Sequence, residues 1–294
     1  MRPRAPKMTI LDVVLILLIA AAIGLFAYKV TVGLHYKWNW GVIPRYLFRY
    51  DAEQQRWMPN LLMQGFLTTI RLSVWSTVFA TLFGTIAALL RLSPRLFRWM
   101  LGRAYVELIR NLPPLVLIFI IYFFLSDQLM TALRVDEIVR ASSARTQQII
   151  TWLFAVPARF PAFLSAVLTL SLYEGAYMTE IIRAGIQSIE KGQWEASYAL
   201  GLSWWQQMRW IILPQAVQRI LPALAGQFIS AIKDSAIVSV ISIQELTFQG
   251  LELMAATYLT FEIWITVTAL YFVLTGACSL AVRRLEVALH KRTF

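Results

Sequence analysis

Apolar residues in this chain neither alternate nor recur as stripes. They gather into blocks of roughly 20, the length a helix needs to cross the hydrocarbon core of a bilayer. Six such blocks lie at about Leu11–Tyr28, Leu61–Leu90, Tyr105–Leu125, Phe163–Ile182, Leu221–Ile243 and Tyr258–Val282. The pattern predicts an all-α integral membrane protein of about six transmembrane helices. The second block has length to spare for a tilt or an extra turn. In the third, Pro113 and Pro114 free carbonyls that neighbouring protein or water must satisfy, so a kink is expected there. The basic start Met1-Arg-Pro-Arg-Ala-Pro-Lys7 before the first block resembles a signal peptide. No small-residue cleavage site follows Gly24 and further spans succeed it, which favours an uncleaved first span.

Composition agrees with lipid as the solvent. The 294 residues are 59% hydrophobic and 15% charged, with mean hydropathy +0.62, against about a quarter charged in soluble domains. The net charge of +11 is spread as punctuation between apolar runs, not gathered on a soluble face, which excludes a nucleic-acid partner. Cys278 is alone, so no intramolecular disulfide can form. His35 and His290 are far apart, leaving no metal cluster and no histidine-based triad. No catalytic residues, metal site or cofactor bound by this chain are expected.

Lys and Arg also set the topology. With six spans, the side of the termini carries Arg2, Arg4, Lys7, Arg91, Arg95, Arg98, Arg103, Arg183, Lys191, Arg209, Arg219, Arg283, Arg284, Lys291 and Arg292, fifteen in all. The other side carries nine: Lys29, Lys37, Arg45, Arg49, Arg56, Arg134, Arg140, Arg145 and Arg159. Only Glu190, Glu195 and Glu286 offset the first group, whereas eight acids nearly neutralise the second. By the positive-inside rule both termini are expected in the cytoplasm. The outer segment from Lys29 to Asn60, with Trp38, Trp40, Tyr46 and Trp57, is expected to be an interfacial aromatic belt or a short amphipathic stretch.

Between the fourth and fifth blocks, residues 183–219 are too polar to span and too apolar for a disordered linker. Glu195, Ala196, Ala199 and Leu200 fall at helical spacing, Gly201 supplies a C-cap or turn, and Ser203 is suited to cap a second short helix through Met208. Leu213-Pro214 is expected to end that helix, with Pro214 opening the next one. A helix-turn-helix on the membrane surface results.

The order Glu195-Ala196-Ser197, three residues, Gly201, nine residues, Ile211, one residue, Leu213-Pro214 closely resembles the signature loop of permease subunits of bacterial ATP-binding-cassette importers. Ser197 stands where that family commonly has alanine. Glu180-Ile-Ile-Arg183-Ala-Gly185, Gly192-Gln193, Pro214-Gln215-Ala216, Pro222, Lys233-Asp234-Ser235 and the Glu107, Arg110, Pro113 spacing are similar to the polar amino-acid branch, which includes histidine and glutamine permeases. Leu117, where a glutamine is frequent, and Asn111-Leu112, replacing a Gly-Thr pair, depart from it. The resemblance covers Leu61 to the C-terminus and implies a five-helix permease core at 61–294 plus an extra N-terminal helix and outer segment at 1–60. It implies a multi-pass protein of the bacterial cytoplasmic membrane that couples passage of a polar amino acid to ATP hydrolysis elsewhere. The implied partners are an ATP-binding subunit, which uses ATP and Mg, an extracytoplasmic solute-binding protein, and a second permease copy or a related permease. Glu195, Ala196, Ser197, Gly201, Ile211, Leu213 and Pro214 become the loop that contacts the ATPase. The residues allow another reading, a surface helix on lipid headgroups, to which Trp204, Trp205 and Trp210 are suited. No Gly-Lys pair occurs in the chain, so it lacks the phosphate-cradling loop of an ATPase.

Ionisable groups at membrane depth are costly and therefore candidates for function. Glu107, Glu174, Glu180, Lys233 and Asp234 are such groups. A zwitterionic amino acid needs an anion for its ammonium and a cation or helix N-terminus for its carboxylate, so Glu180, Lys233, Asp234 and Ser235 are candidate pathway residues. The alternative pairs Lys233 or Asp234 with Glu180 or Arg183 to lock the bundle. An ion-driven secondary transporter, a structural scaffold and an importer of another small polar solute remain the rival functions.

Overall fold

The computed structural model describes residues 8–33, 36–53 and 55–290. Arg2, Arg4, Lys7, His35, Lys291 and Arg292 lie outside the described residues. The chain divides into two compact units at Gly41–Val42. The first holds α1 (Ile10–Gly33), whose apolar side chains are exposed from Ile10 to Leu25, as suits a helix solvated by lipid.

The second unit opens with α2 (Ile43–Leu47) and a hairpin of β1 (Phe48–Asp51) and β2 (Arg56–Pro59), paired antiparallel with Phe48 opposite Pro59. The side-chain amide of Asn60 donates to the carbonyl of Arg45 at 2.6 Å, and Ile43 joins a buried cluster with Leu62, Leu246 and Ile263. Residues 43–59 thus fold back on the second unit, while Tyr50 and Trp57 stay exposed and meet edge to face.

The bundle follows as α3 (Leu61–Arg91), α4 (Leu96–Asn111), α5 (Pro114–Ile120), α6 (Asp127–Ala132), α7 (Val135–Arg140), α8 (Ala144–Leu153), α9 (Phe160–Gln187), α10 (Lys191–Ala199), α11 (Trp204–Gln206), α12 (Leu213–Asp234), α13 (Leu246–Thr257) and α14 (Thr260–His290). Its centre is the seam between α3 and α9, where Ser73, Ser76, Ala80 and Gly84 face Ser171, Gly175 and Thr179, all buried. A Cβ on Gly84 would lie 2.8 Å from that of Met178 and one on Gly175 would lie 2.7 Å from the Tyr105 hydroxyl. Lacking Cβ there, the backbones approach closely, and dispersion and hydrogen bonds replace the hydrophobic drive that lipid does not supply. Ser171 donates across the seam to the carbonyl of Ser76 at 3.3 Å.

Four helices of the described residues are long and apolar enough to cross a membrane: Leu61–Arg91, Pro114–Ala132, Trp204–Ile241 and Thr260–Arg284. A fifth arises if α8 and Pro157–Gln187, bent by 62° at their junction, act as one span. With the shorter apolar helix Ile10–Leu25, these correspond to the six blocks, but two boundaries differ from expectation. The third span begins at Pro114, not Tyr105. Each Pro disfavours helix in the residue before it, and Leu112 and Pro113 are extended, with ψ of 151° and 132°. The chain therefore breaks instead of kinking, and α4 is a separate helix whose Val106 and Ile109 are buried while Glu107 is half exposed and pairs with Arg103 at 2.6 Å. The helix that carries the fifth span begins well before Leu221, and Leu213-Pro214 does not end the helix before it. Helix runs on from Trp204 to Ile241 because Gln207–Ile212 widens into a π turn, in which the Leu213 N–H reaches the carbonyl of Met208. A proline collides with the carbonyl four residues earlier in an α-helix, and the wider turn relieves that collision for Pro214.

Candidate functional site

Two polar constellations stand out in the second unit. The first is the surface element between α9 and α12. Helix α10 ends in a Schellman motif: Gly201 adopts φ +73°, the Leu202 N–H donates to Ser197 O at 3.3 Å and the Gly201 N–H to Tyr198 O at 2.9 Å. The next helix starts at Ser203, whose N–H and hydroxyl both donate to the Gln206 side-chain oxygen, at 2.8 and 2.9 Å. Gly201 and Ser203 thus hold the roles expected of them.

This element is fastened to the bundle at several points. Met208 and Ile212 are buried with Ile186 and Ile189 at the end of α9, and Ile211 packs against the same cluster. Gln215 donates to Gln193 at 3.2 Å, and Arg219 donates to the Ser188 carbonyl. Ser197 is buried and bonds to Trp194 O at 2.8 Å, so a small side chain is needed at the contact. Glu195, Ala196, Gly201 and Pro214 are exposed, Leu213 half-buried, and Tyr198 and Leu200 are each 77% exposed. A stiff, anchored hairpin therefore presents Tyr198 and Leu200 outward.

Just inside the same end, the Glu180 carboxylate accepts from Arg183 Nη2 at 2.6 Å and Nε at 3.1 Å and also pairs with Arg91. Arg183 reaches onward to Gln187. Two helices, α3 and α9, are thereby tied through one carboxylate, which is how Glu180 is accommodated.

The second constellation lies deeper. Glu174 on α9 is 1% exposed and accepts from Gln227 Nε2 on α12 at 2.7 Å, and Asp234 is its electrostatic neighbour. Gln227 and Asp234 are seven residues apart, two helical turns, and so share one face of α12. Tyr173 and Tyr177 hydroxyls meet at 3.3 Å nearby, and the Arg110 guanidinium lies 5.6 Å from the Tyr177 ring centroid. Of the candidate pathway residues, Asp234 belongs to this cluster. Lys233 is exposed, the Ser235 hydroxyl is spent on Ile232 O at 2.8 Å, and no hydrogen bond or ion pair joins Glu180 to Lys233 or Asp234. Sequence reasoning flagged Glu174 but missed Gln227 and Tyr173. The seven-residue spacing of Gln227 and Asp234 was the available signal.

A family model described as binding-protein-dependent transport system inner membrane component matches residues 80–294. Among curated proteins, the probable glutamine ABC transporter permease protein GlnM of Bacillus subtilis is 34% identical over 233 residues, covering 79% of this chain and 94% of its own length. The glutamine transport system permease protein GlnP of Escherichia coli is 34% identical, covering 77% and 91%. A solved amino acid ABC transporter with histidines aligns at TM-score 0.65 and 30% identity over 86% of this chain and 100% of that one. The MetNI methionine transporter, at TM-score 0.59 and 18% identity over 78% of this chain and 96% of that one, shares the fold. The chain belongs to the family of inner membrane components of binding-protein-dependent transport systems, the non-enzymatic permease subunits of ATP-binding-cassette importers.

Proposed function

We propose that this permease carries a polar amino acid and that its two constellations divide the labour. The α10 hairpin, with Glu195, Ala196, Ser197, Gly201, Ile211, Leu213 and Pro214, docks an ATP-binding subunit, where ATP and Mg are used. The observation that carries the reading is the fastening of that hairpin: a motor moves a bundle only through an element that does not flex, and capped on both sides of its turn, bonded to α12 and packed against the end of α9 it transmits displacement. On this reading the hairpin and both termini face the cytoplasm, residues 61–294 form the transporting core, and 1–60 is an addition to it. A solute-binding protein delivers substrate from outside, and a second permease, identical or related, completes the pathway.

The Glu174, Gln227 and Asp234 cluster then lies along the route. Two neighbouring acids in a low-dielectric bundle repel, and the ammonium group of an amino acid between them relieves that repulsion. The curated relatives named for glutamine support the substrate class. The test is Gly201→Asp in the purified permease–ATPase complex in vesicles. A side chain at φ +73° opens the turn, so ATP-driven uptake is expected to fall at least tenfold while the ATPase still hydrolyses. Normal uptake removes the assignment of the hairpin.

A further inference from the structure

A third polar constellation lies at the opposite end of the bundle from α10. A cavity of about 360 Å³ is lined by Arg71 of α3, Arg159, Gln64, Gln244 and Gln249 among others. Its position follows from topology, since Arg159 immediately precedes α9 and α10 follows the far end of that helix. Arg71 is half-buried, and its one hydrogen bond among the described residues is a long one, Nη1 to Phe154 O at 3.4 Å. Among the described residues neither Arg71 nor Arg159 forms an ion pair. The acid nearest in sequence to the cavity wall, Glu245, is engaged by the N–H groups of Thr247 and Phe248 and the hydroxyls of Tyr271 and Thr69, and it forms no ion pair with Arg71.

Gln249 supplies the complementary group. It is 2% exposed, lines the cavity, and its Oε1 has no hydrogen-bond donor among the described residues. A Cβ on Gly65 would fall 2.8 Å from Gln249 Cγ, so Gly65 is what allows α3 to close on this glutamine. An unpaired buried acceptor costs about 1–3 kcal/mol, and an unpaired guanidinium at membrane depth more. A ligand that brings an anion and a cationic donor together satisfies both.

We propose that this cavity is an entrance subsite for a zwitterionic amino acid, with Arg71 and Arg159 taking its α-carboxylate and the Gln249 amide, once rotated to bring its sheltered Oε1 to the cavity, accepting from its ammonium. The subsite rests on the amino-acid importer reading and adds the first station on the route. The planar guanidinium fork suits a carboxylate, and the volume holds one small amino acid with water.

The test is saturation-transfer NMR on the purified permease–ATPase complex without binding protein. Three probes are matched: L-glutamine, 4-aminobutanamide, which lacks the carboxylate, and glutaramate, which lacks the ammonium. L-Glutamine is expected to bind at least tenfold more tightly than either. Arg71→Gln is expected to weaken L-glutamine at least tenfold and leave 4-aminobutanamide within twofold, whereas Gln249→Leu weakens L-glutamine and leaves glutaramate within twofold. Arg134→Gln, an exposed arginine outside the cavity, serves as the control. Equal binding of the three probes, no binding of L-glutamine, or indifference to both substitutions overturns the subsite. If Arg71→Gln does not fold, the probe series on the unaltered protein and Gln249→Leu still decide. Failure of the importer reading shows itself separately, as absent ATP-driven uptake by the unaltered complex with its binding protein.

Discussion

At the residue scale, charges inside the bundle sort by whether the chain satisfies them. Glu180 is answered twice, by Arg91 and Arg183, and we propose that it clamps the two helices. Removing one member of a buried pair strands the others, but these side chains are 17–28% exposed, so water screens part of the cost. Glu180→Gln is expected to destabilise by about 1–3 kcal/mol, seen as a lower thermal midpoint in detergent. Arg91→Gln in the same chain should restore part of the loss, and strict additivity would show that the pair does not interact. Asp234 is answered only by its neighbourhood, which suits a transient ligand. Because a hydrogen bond to a charged group contributes about 1.5–3 kcal/mol, Asp234→Asn is expected to raise the amino-acid concentration for half-maximal uptake about tenfold or more. Loss of assembled protein instead would make Asp234 a structural acid.

At the scale of elements, what was legible in the sequence was what residue types encode directly. Gly201 and Ser203 announced their turn because a positive φ and a cap each prefer one kind of side chain. The break at Leu112–Pro114 was half legible: the prolines were noted, but the apolar run over them hid the separation of α4 from the third span. The π turn at Gln207–Ile212 was not legible, since its bonds skip one residue further than an α-helix and no residue type is specific to it. Pro214 does report on it indirectly. With Pro214→Ala the collision with the preceding turn disappears, and the segment is free to return to α-helical bonding. One residue of phase, about 100°, would then be lost between the hairpin and α12. Uptake is expected to fall severalfold while the thermal midpoint holds or rises. A fall in both would mean that the proline merely stabilises the helix.

At the scale of the whole molecule, the apolar blocks gave the spans and the bases gave an orientation, while the pairing of spans had to come from the fold. Glu174 and Gln227 meet across two helices 53 residues apart in sequence, and no periodicity within either helix reports that contact. The fold also tests the charge argument. Moving the third span to Pro114 places Arg110 and Glu107 in the segment that joins Arg91 to α5, on the same end as Arg183, because Arg91 and Glu180 pair. One base and one acid are added together, so the asymmetry survives. Orientation then becomes a prediction about two exposed aromatic side chains at opposite ends, Tyr198 on α10 and Trp57 on β2. In a chain with Cys278→Ala, a membrane-impermeant maleimide is expected to label Trp57→Cys in intact cells and Tyr198→Cys only in inverted vesicles. The reverse pattern would put the hairpin outside, beyond the reach of any cytoplasmic ATPase, and the positive-inside count would have failed together with the coupling role built on it.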